Sequence, residues 1–223
     1  MSRDGASLAS VCSLRAATPA AWAGSVLPHL AELLVEQAHL EKKAAAAASS
    51  FLFRIPSVTG WQKSLSQLAR EELVHFERTL RILQERGIEL GQQAPSPYAE
   101  SLKSVRHAHM PQRLLDELVI SAVIEARSHE RMQMLAHALA DTDAPAAAFY
   151  DGLVEAEERH HGDYLEIAAG MYGRDAVLAS WDKVAQHEAN VLASLPFLPR
   201  LHGGWGTLGA LADGPARASC TDS

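Results

Sequence analysis

The stretch REELVHF, residues 70–76, sets a carboxylate and an imidazole on the side of a helix that should be dry. Residues three or four apart share a helix face. Leu65, Leu68, Glu72, His75, Phe76, Thr79 and Leu83 therefore form one stripe, apolar except for the Glu/His pair and one threonine. Apolar stripes face cores, and a carboxylate in a core needs a partner. The same problem recurs on the stripe through Tyr150, Leu153, Glu157, His160, Tyr164, Ile167 and Met171. A chain that does this twice must fold so that both pairs find compensation.

Helical periodicity runs through nearly the whole chain, and the alternating β-branched and aromatic runs of strands are missing. The pattern predicts long helices over 25–54, 59–86, 111–140 and 144–171, and a shorter one over 175–194. Five consecutive alanines, 44–48, favour the first, which Ile55-Pro56 ends. Gly87 ends the second, Pro111 opens the third, and residues 141–143 link the third tightly to the fourth. Short links make antiparallel hairpins of the first two and of the last two long helices. The polar segment after Gly87, roughly 24 residues with Pro95 and Pro97, is long enough to cross a bundle from end to end. The expectation is an all-α, ferritin-like four-helix bundle over 25–195: two hairpins, a long crossover and a shorter fifth helix. Residues 1–24 read as an N-terminal extension. Residues 196–223, rich in Gly and Pro, read as a loop and then a flexible tail.

Glu-x-x-His occurs four times. Glu36/His39 shares its face with His29, Glu32 and Lys43, and Glu158/His161 falls among Asp151, Glu155 and Gly162, so both pairs read as surface. The other two long helices each offer one carboxylate on an apolar stripe. Glu41 lies with Leu34, Ala38, Ala45 and Ala48, and Glu125 with Leu118, Ala122, Met132 and Leu139. Glu130 competes with Glu125 but shares its face with Asp116, Arg127 and His137. Glu41 precedes Glu72 by 31 residues, and Glu125 precedes Glu157 by 32. Each hairpin thus carries a lone Glu and then Glu-x-x-His at nearly one offset. Related by a pseudo-two-fold axis, they would aim Glu41, Glu72, His75, Glu125, Glu157 and His160 at one spot, the donor set of a di-iron or di-manganese site. Carboxylate and imidazole without thiolate suit iron or manganese. His129 and Tyr164, each one turn from a ligand, are candidates for the layer behind the metals. His107, His109, His187 and His202 read as surface.

The chain's 48% hydrophobic content is enough for one cored domain. Its formal net charge of -7 excludes global attraction to polyanions, so such a partner must meet a local basic patch. Cys12 and Cys220 form no CxxC motif and no disulfide framework, which points to a reducing cytoplasm. No secretory signal or membrane-spanning window is visible. Flavin, nicotinamide and iron–sulfur motifs are absent too.

Several of these stretches resemble the tRNA-modifying hydroxylases that act on 2-methylthio-isopentenyladenosine next to the anticodon, the MiaE-type enzymes. LLVEQAHLEKKAAAAA, LAREELVHFERTL, IEARSHERM and EAEERHHGDYL carry the likeness, which covers about 33–195. On these stretches the family's iron ligands fall on Glu41, Glu72, His75, Glu125, Glu157 and His160. Leu40 and His129 stand where cysteines are expected in many relatives. The resemblance implies a non-haem di-iron monooxygenase that uses O2 and electrons from a reductase or ferredoxin-like carrier to hydroxylate the isopentenyl group. It also implies a monomer or small oligomer with tRNA as substrate. Lys103, Arg106 and Arg113, with His107 and His109 against one acid, Glu100, are the candidate tRNA contacts; Lys42, Lys43, Arg54 and Lys63 form a second basic group. Competing readings are a quinone-type or other small-molecule hydroxylase, a rubrerythrin-like peroxidase, an iron-storage shell and a metal-free helical interaction protein. The missing CxxC…CxxC module disfavours the peroxidase.

Overall fold

The structure, a computed structural model, describes residues 6–206 and 208. Its helices are α1 (Leu8–Val11), α2 (Ala21–Val26), α3 (Leu30–Arg54), α4 (Gln62–Glu85), α5 (Tyr98–Lys103), α6 (Gln112–Leu139), α7 (Ala144–Tyr172) and α8 (Arg174–Ser194). No strand occurs among the described residues; one isolated bridge joins Phe197 and Gly204. None of these helices is long and apolar enough to cross a membrane.

Local chemistry sets the boundaries. Ile55, extended ahead of Pro56, stops α3. Gly87 takes φ 64°, and Ile88 then donates its N–H back to the Leu83 carbonyl at 2.9 Å, closing α4 with the left-handed turn glycine permits. The Asp143 carboxylate caps α7 by accepting from the Ala146 N–H at 3.1 Å, with a proline in the first turn. Helices α3 and α4 pack along each other, as do α6 and α7, and α8 lies against α6 and α7. The crossover between the hairpins contains α5, which buries Tyr98 and Leu102. The ferritin-like bundle with a fifth helix is the fold found.

Leu8, Cys12 and Trp22 are core residues, so the N-terminal extension packs into the bundle. At the other end Leu201, His202 and Leu208 are buried as well. Residues 207 and 209–223, with Cys220, lie outside the described residues. These irregular segments cover helix faces that look solvated in sequence. Arg127 and Arg131 on α6 are fully buried. The Arg127 guanidinium grips both Glu188 oxygens at 2.7 and 2.9 Å, contacts Glu130, and donates to Thr18 Oγ1 and the Ala16 carbonyl. Arg131 donates to the Leu201 and Gly203 carbonyls and lies over the Trp22 and Trp205 rings.

Glu36, His161 and His202 therefore correct the surface reading. Glu36 is buried and accepts the Leu201 N–H. His161 is buried against Trp181 and bonds the Ala122 carbonyl, whereas Glu158 is exposed. His202 is buried, stacked on Tyr98 with ring centres 4.9 Å apart. Asp116, on the face given to Glu130, is buried too and receives Lys183 and Ser180.

Breaking a buried ion pair on one side leaves its partner's charge uncompensated. Glu188→Ala should cost about 3–5 kcal/mol, read as a lower urea midpoint. Wild-type stability in that variant would mean the arginine layer is not a stabilising element.

Candidate metal centre

Four helices deliver six donors to one point in the bundle. Glu41 comes from α3, Glu72 and His75 from α4, Glu125 from α6, and Glu157 and His160 from α7; all are 5% exposed or less. Their donor atoms form two groups, each closed within 4.8 Å: Glu41, Glu72, His75 and Glu157, and Glu72, Glu125, Glu157 and His160. Glu72 and Glu157, the carboxylates of the two Glu-x-x-His pairs, belong to both. Each group adds one lone glutamate and one histidine of its own, so the sequence repeat becomes a spatial one.

The atoms between these residues are poorly satisfied by one another. His75 Nδ1 lies 3.5 Å from Glu72 Oε2 and 3.8 Å from Glu41 Oε2. His160 Nδ1 lies 2.8 Å from Glu72 Oε1, out of line for a hydrogen bond. Both Glu72 oxygens and both Nδ1 atoms lack a hydrogen-bond partner. Buried polar atoms are rarely left so, and here four of them face one another. Burial and the neighbouring carboxylates push Glu41, Glu125 and Glu157 well above the usual carboxylate range. Burial also pushes Glu72 up, but the imidazoles of His160 and His75 more than offset it and bring it to about 2. His160 is pushed down by burial, and Glu72, Glu157 and Glu71 raise it beyond that to about 9. Two divalent cations would balance four carboxylates and occupy the orphaned donors. The donor set fits a non-haem di-iron centre.

Behind the six stand partners that sequence reasoning missed. His160 turns its other nitrogen, Nε2, to Glu71 Oε2 at 2.8 Å, and Arg159 holds the same oxygen at 2.7 Å. This fixes the tautomer that leaves Nδ1 facing the cluster. Gln37 donates to Glu41 Oε1 at 2.6 Å. Glu71 is half-exposed and adjacent to a ligand, so it reads as surface; its pairing across α4 and α7 has no sequence signature. His129, expected beside Glu125, instead bonds the Val154 carbonyl and lines a separate pocket with Cys12 and His161. Tyr164 packs edge-on against Phe51 and borders the cluster.

A cavity of about 440 Å³ opens from the cluster between α3 and α6. Its inner end holds Glu41, Glu72, Glu125 and Glu157, and its walls include Leu40, Ala44, Ala47, Phe51, Ile120, Ile124 and Met132. Arg54, Lys103, Arg106 and Glu117 also line it. Arg54, Arg106 and Arg113 all bond Glu117. Two of the expected contacts, Arg106 and Arg113, thus meet Arg54 from the other basic group. Lys103 pairs with Glu100. On the opposite side, His75 borders an open groove with Arg70, Glu71, Arg78 and Arg159.

A family model described as tRNA-(MS[2]IO[6]A)-hydroxylase (MiaE) matches residues 8–203. A protein of Pseudomonas putida named tRNA 2-(methylsulfanyl)-N(6)-isopentenyladenosine(37) hydroxylase is 39% identical over 162 residues, 73% of this chain and 77% of that protein. A Salmonella typhimurium protein of the same name is 34% identical over 61% of this chain; the match spans about half of that protein, 49%. Among solved structures, a Synechococcus protein with aldehyde deformylating oxygenase activity superposes with a TM-score of 0.80 at 34% identity, over 86% of this chain and 96% of that one. The span of the match, the doubled donor pattern and the bundle all agree, and the chain belongs to the tRNA-(MS[2]IO[6]A)-hydroxylase (MiaE) family.

Proposed function

We propose that this chain hydroxylates the isopentenyl side chain of 2-methylthio-isopentenyladenosine at position 37 of tRNA. The reading rests chiefly on one observation: an apolar cavity joins the carboxylate–histidine cluster to an arginine-bearing wall. Glu41, Glu72, His75, Glu125, Glu157 and His160 would hold two iron ions. Bound there, the pair supplies activation of O2. Inserting one oxygen atom into a methyl C–H bond sends the other to water, and the balance takes two electrons and two protons from outside. With no flavin, nicotinamide or iron–sulfur motif in the sequence, a reductase or ferredoxin-like carrier is the donor. A tRNA substrate places the reaction in the cytoplasm.

This chain's own residues do the positioning. Leu40, Ala44, Ala47, Ile120 and Ile124 surround an aliphatic chain with surface that cannot hydrogen-bond, which excludes water and favours the prenyl end over the base. Glu71 and Arg159 hold the His160 ring in place, and Gln37 holds Glu41. Outside, Arg54, Arg106 and Arg113 share the single carboxylate of Glu117, a local surplus of positive charge for phosphates.

The deciding experiment is mass analysis of nucleosides from tRNA incubated with reduced, iron-loaded protein and labelled O2. One labelled oxygen on the prenylated adenosine is expected; an unmodified nucleoside would overturn the proposal. Elemental analysis should find two iron ions per chain, lost in Glu72→Ala and Glu157→Ala and kept in Glu158→Ala, whose side chain is exposed. A single zinc, or equal loss in all three, would refute the ligand assignment. Glu71→Gln should weaken iron binding roughly 10- to 100-fold, the usual effect of removing a ligand's outer partner. Replacing Lys103, Arg106 and Arg113 with alanine should weaken tRNA binding and flatten its dependence on salt. For every phosphate that the variant no longer neutralises, the slope of log affinity against log salt should fall by about 0.7–0.9. An unchanged slope would move the docking site elsewhere.

A further inference from the structure

The corner between α3 and α4 exposes two apolar side chains that no core stripe requires. Phe53 is 91% exposed and Val58 93%, the most exposed large hydrophobics among the described residues. A lone exposed leucine or valine is ordinary. A phenylalanine held almost wholly in water, next in sequence to a residue that lines the cavity, Arg54, is a different observation. Around it the corner is built firmly. Phe51 and Ile55 anchor it in the core, and the Gln62 amide donates to the Leu52 and Ile55 carbonyls at 3.3 and 2.7 Å. Thr59 Oγ1 bonds the Pro56 carbonyl at 2.7 Å. The ring is therefore presented by a fixed helix end.

Position along α3 ties this ring to the cavity. Glu41, Ala44, Ala47, Ser50 and Arg54 line the cavity in succession. At about 1.5 Å per residue, Glu41 and Arg54 stand roughly 20 Å apart. The cavity thus runs along α3 from the metal cluster to the end of the helix where Phe53 projects. A nucleoside inserted prenyl-end first would fill it, and its neighbours in the strand would stay outside. Phe53 follows Ser50 by one turn and adjoins Arg54, which is set by the Phe51 ring on one side and Glu117 on the other. An aromatic face beside guanidinium groups is what an unpaired base with flanking phosphates recognises.

We propose that Phe53 is a stacking platform for an unpaired base adjoining the modified adenosine in the tRNA loop. This rests on the tRNA reading above and adds the residue that receives the neighbouring nucleotide. Phe53 is a binding residue and touches none of the reacting atoms. The occupant is single-stranded RNA because Arg54, the ring's neighbour in sequence, belongs to a group of three arginines that share one glutamate.

The test uses the full-length, iron-loaded protein and a stem-loop RNA carrying the prenylated adenosine. Phe53→Ala should raise Kd about 5- to 150-fold, the range for one base–aromatic stack, and Phe53→Trp should restore it. The rise should appear in KM rather than kcat. The salt slope should stay at the wild-type value, because the ring contacts no phosphate; this separates the platform from the arginines. Against RNAs made abasic at each position flanking the modified adenosine, wild type should lose affinity at one position. Phe53→Ala should show no further loss there. Wild-type binding of the stem-loop with an unchanged Kd in Phe53→Ala would overturn the platform and leave the tRNA reading standing. Failure of wild type to bind RNA would overturn both. A shift from dimer to monomer in sedimentation on Phe53→Ala, with RNA affinity unchanged, would assign the ring to a second copy of this chain instead.

Discussion

Charge repulsion inside the bundle governs the rest of the molecule. Five of the six pairings among Glu41, Glu72, Glu125 and Glu157 fall within the two groups closed at 4.8 Å. At an effective dielectric of about 20, each ionised pair at that distance repels by roughly 3–4 kcal/mol. Five such pairs approach 20 kcal/mol, on the order of the whole net stability of a domain, about 5–15 kcal/mol. The cluster must therefore take up protons or cations. Raised affinity for protons at three of the four carboxylates is one expression of this. With cations bound, the same repulsion becomes attraction toward a common centre, and helices of separate hairpins are drawn together through their least compatible residues.

That requirement explains what surrounds the centre. Helices α4 and α7 carry both histidines, and the bonded chain from His160 through Glu71 to Arg159 joins them across the gap. Helices α3 and α6 carry only the lone glutamates, and small side chains interrupt their larger apolar ones along the cavity: Ala44, Ala47 and Ser50 on one, Ser121 and Ser128 on the other. The alanine run that favours helix in the first hairpin also hollows the space beside the metals. One local composition thus serves propensity and cavity together, and a longer residue at Ala44 or Ala47 would fill the path to the cluster.

The donor positions were legible because they break a rule. A carboxylate on an apolar stripe is an anomaly that a 3.6-residue period exposes, and its repetition at offsets of 31 and 32 gave the pairing of helices. Glu36, Arg127, Arg131, His161 and His202 broke no visible rule. Polar residues on a helix face read as solvated unless something covers them, and here the covers are residues 7–26 and 196–206, which have no period to read. Trp22 and Trp205 lie over the buried arginines, and Thr18, Leu201 and Gly203 supply their acceptors. Their pairing spans more than a hundred residues in some cases, as from Thr18 to Arg127. The outer partners of the centre were hidden for a related reason. Glu71 lies beside Glu72 in sequence, but its function depends on how α4 meets α7.

The acidic total of the chain and the proposed tRNA substrate fit together once charge is located rather than summed. Part of the acidic total is buried, at the cluster and in the Glu188 and Asp116 ion pairs, rather than facing solvent. At Glu117 positive charge is in excess. Burial pushes its carboxyl up, and Arg54 and Arg113 more than offset that, so it stays ionised among three guanidinium groups. A single carboxylate there orients the arginines without cancelling them. Long side chains held in this way lose less freedom when a phosphate arrives than free ones would, so part of the ordering cost of binding is met in the folded protein. A polyanion is then attracted locally to the arginines, while the inner end of the cavity holds four carboxylates. On the proposed function, the distribution of charge along one cavity selects which end of a prenylated nucleotide enters first.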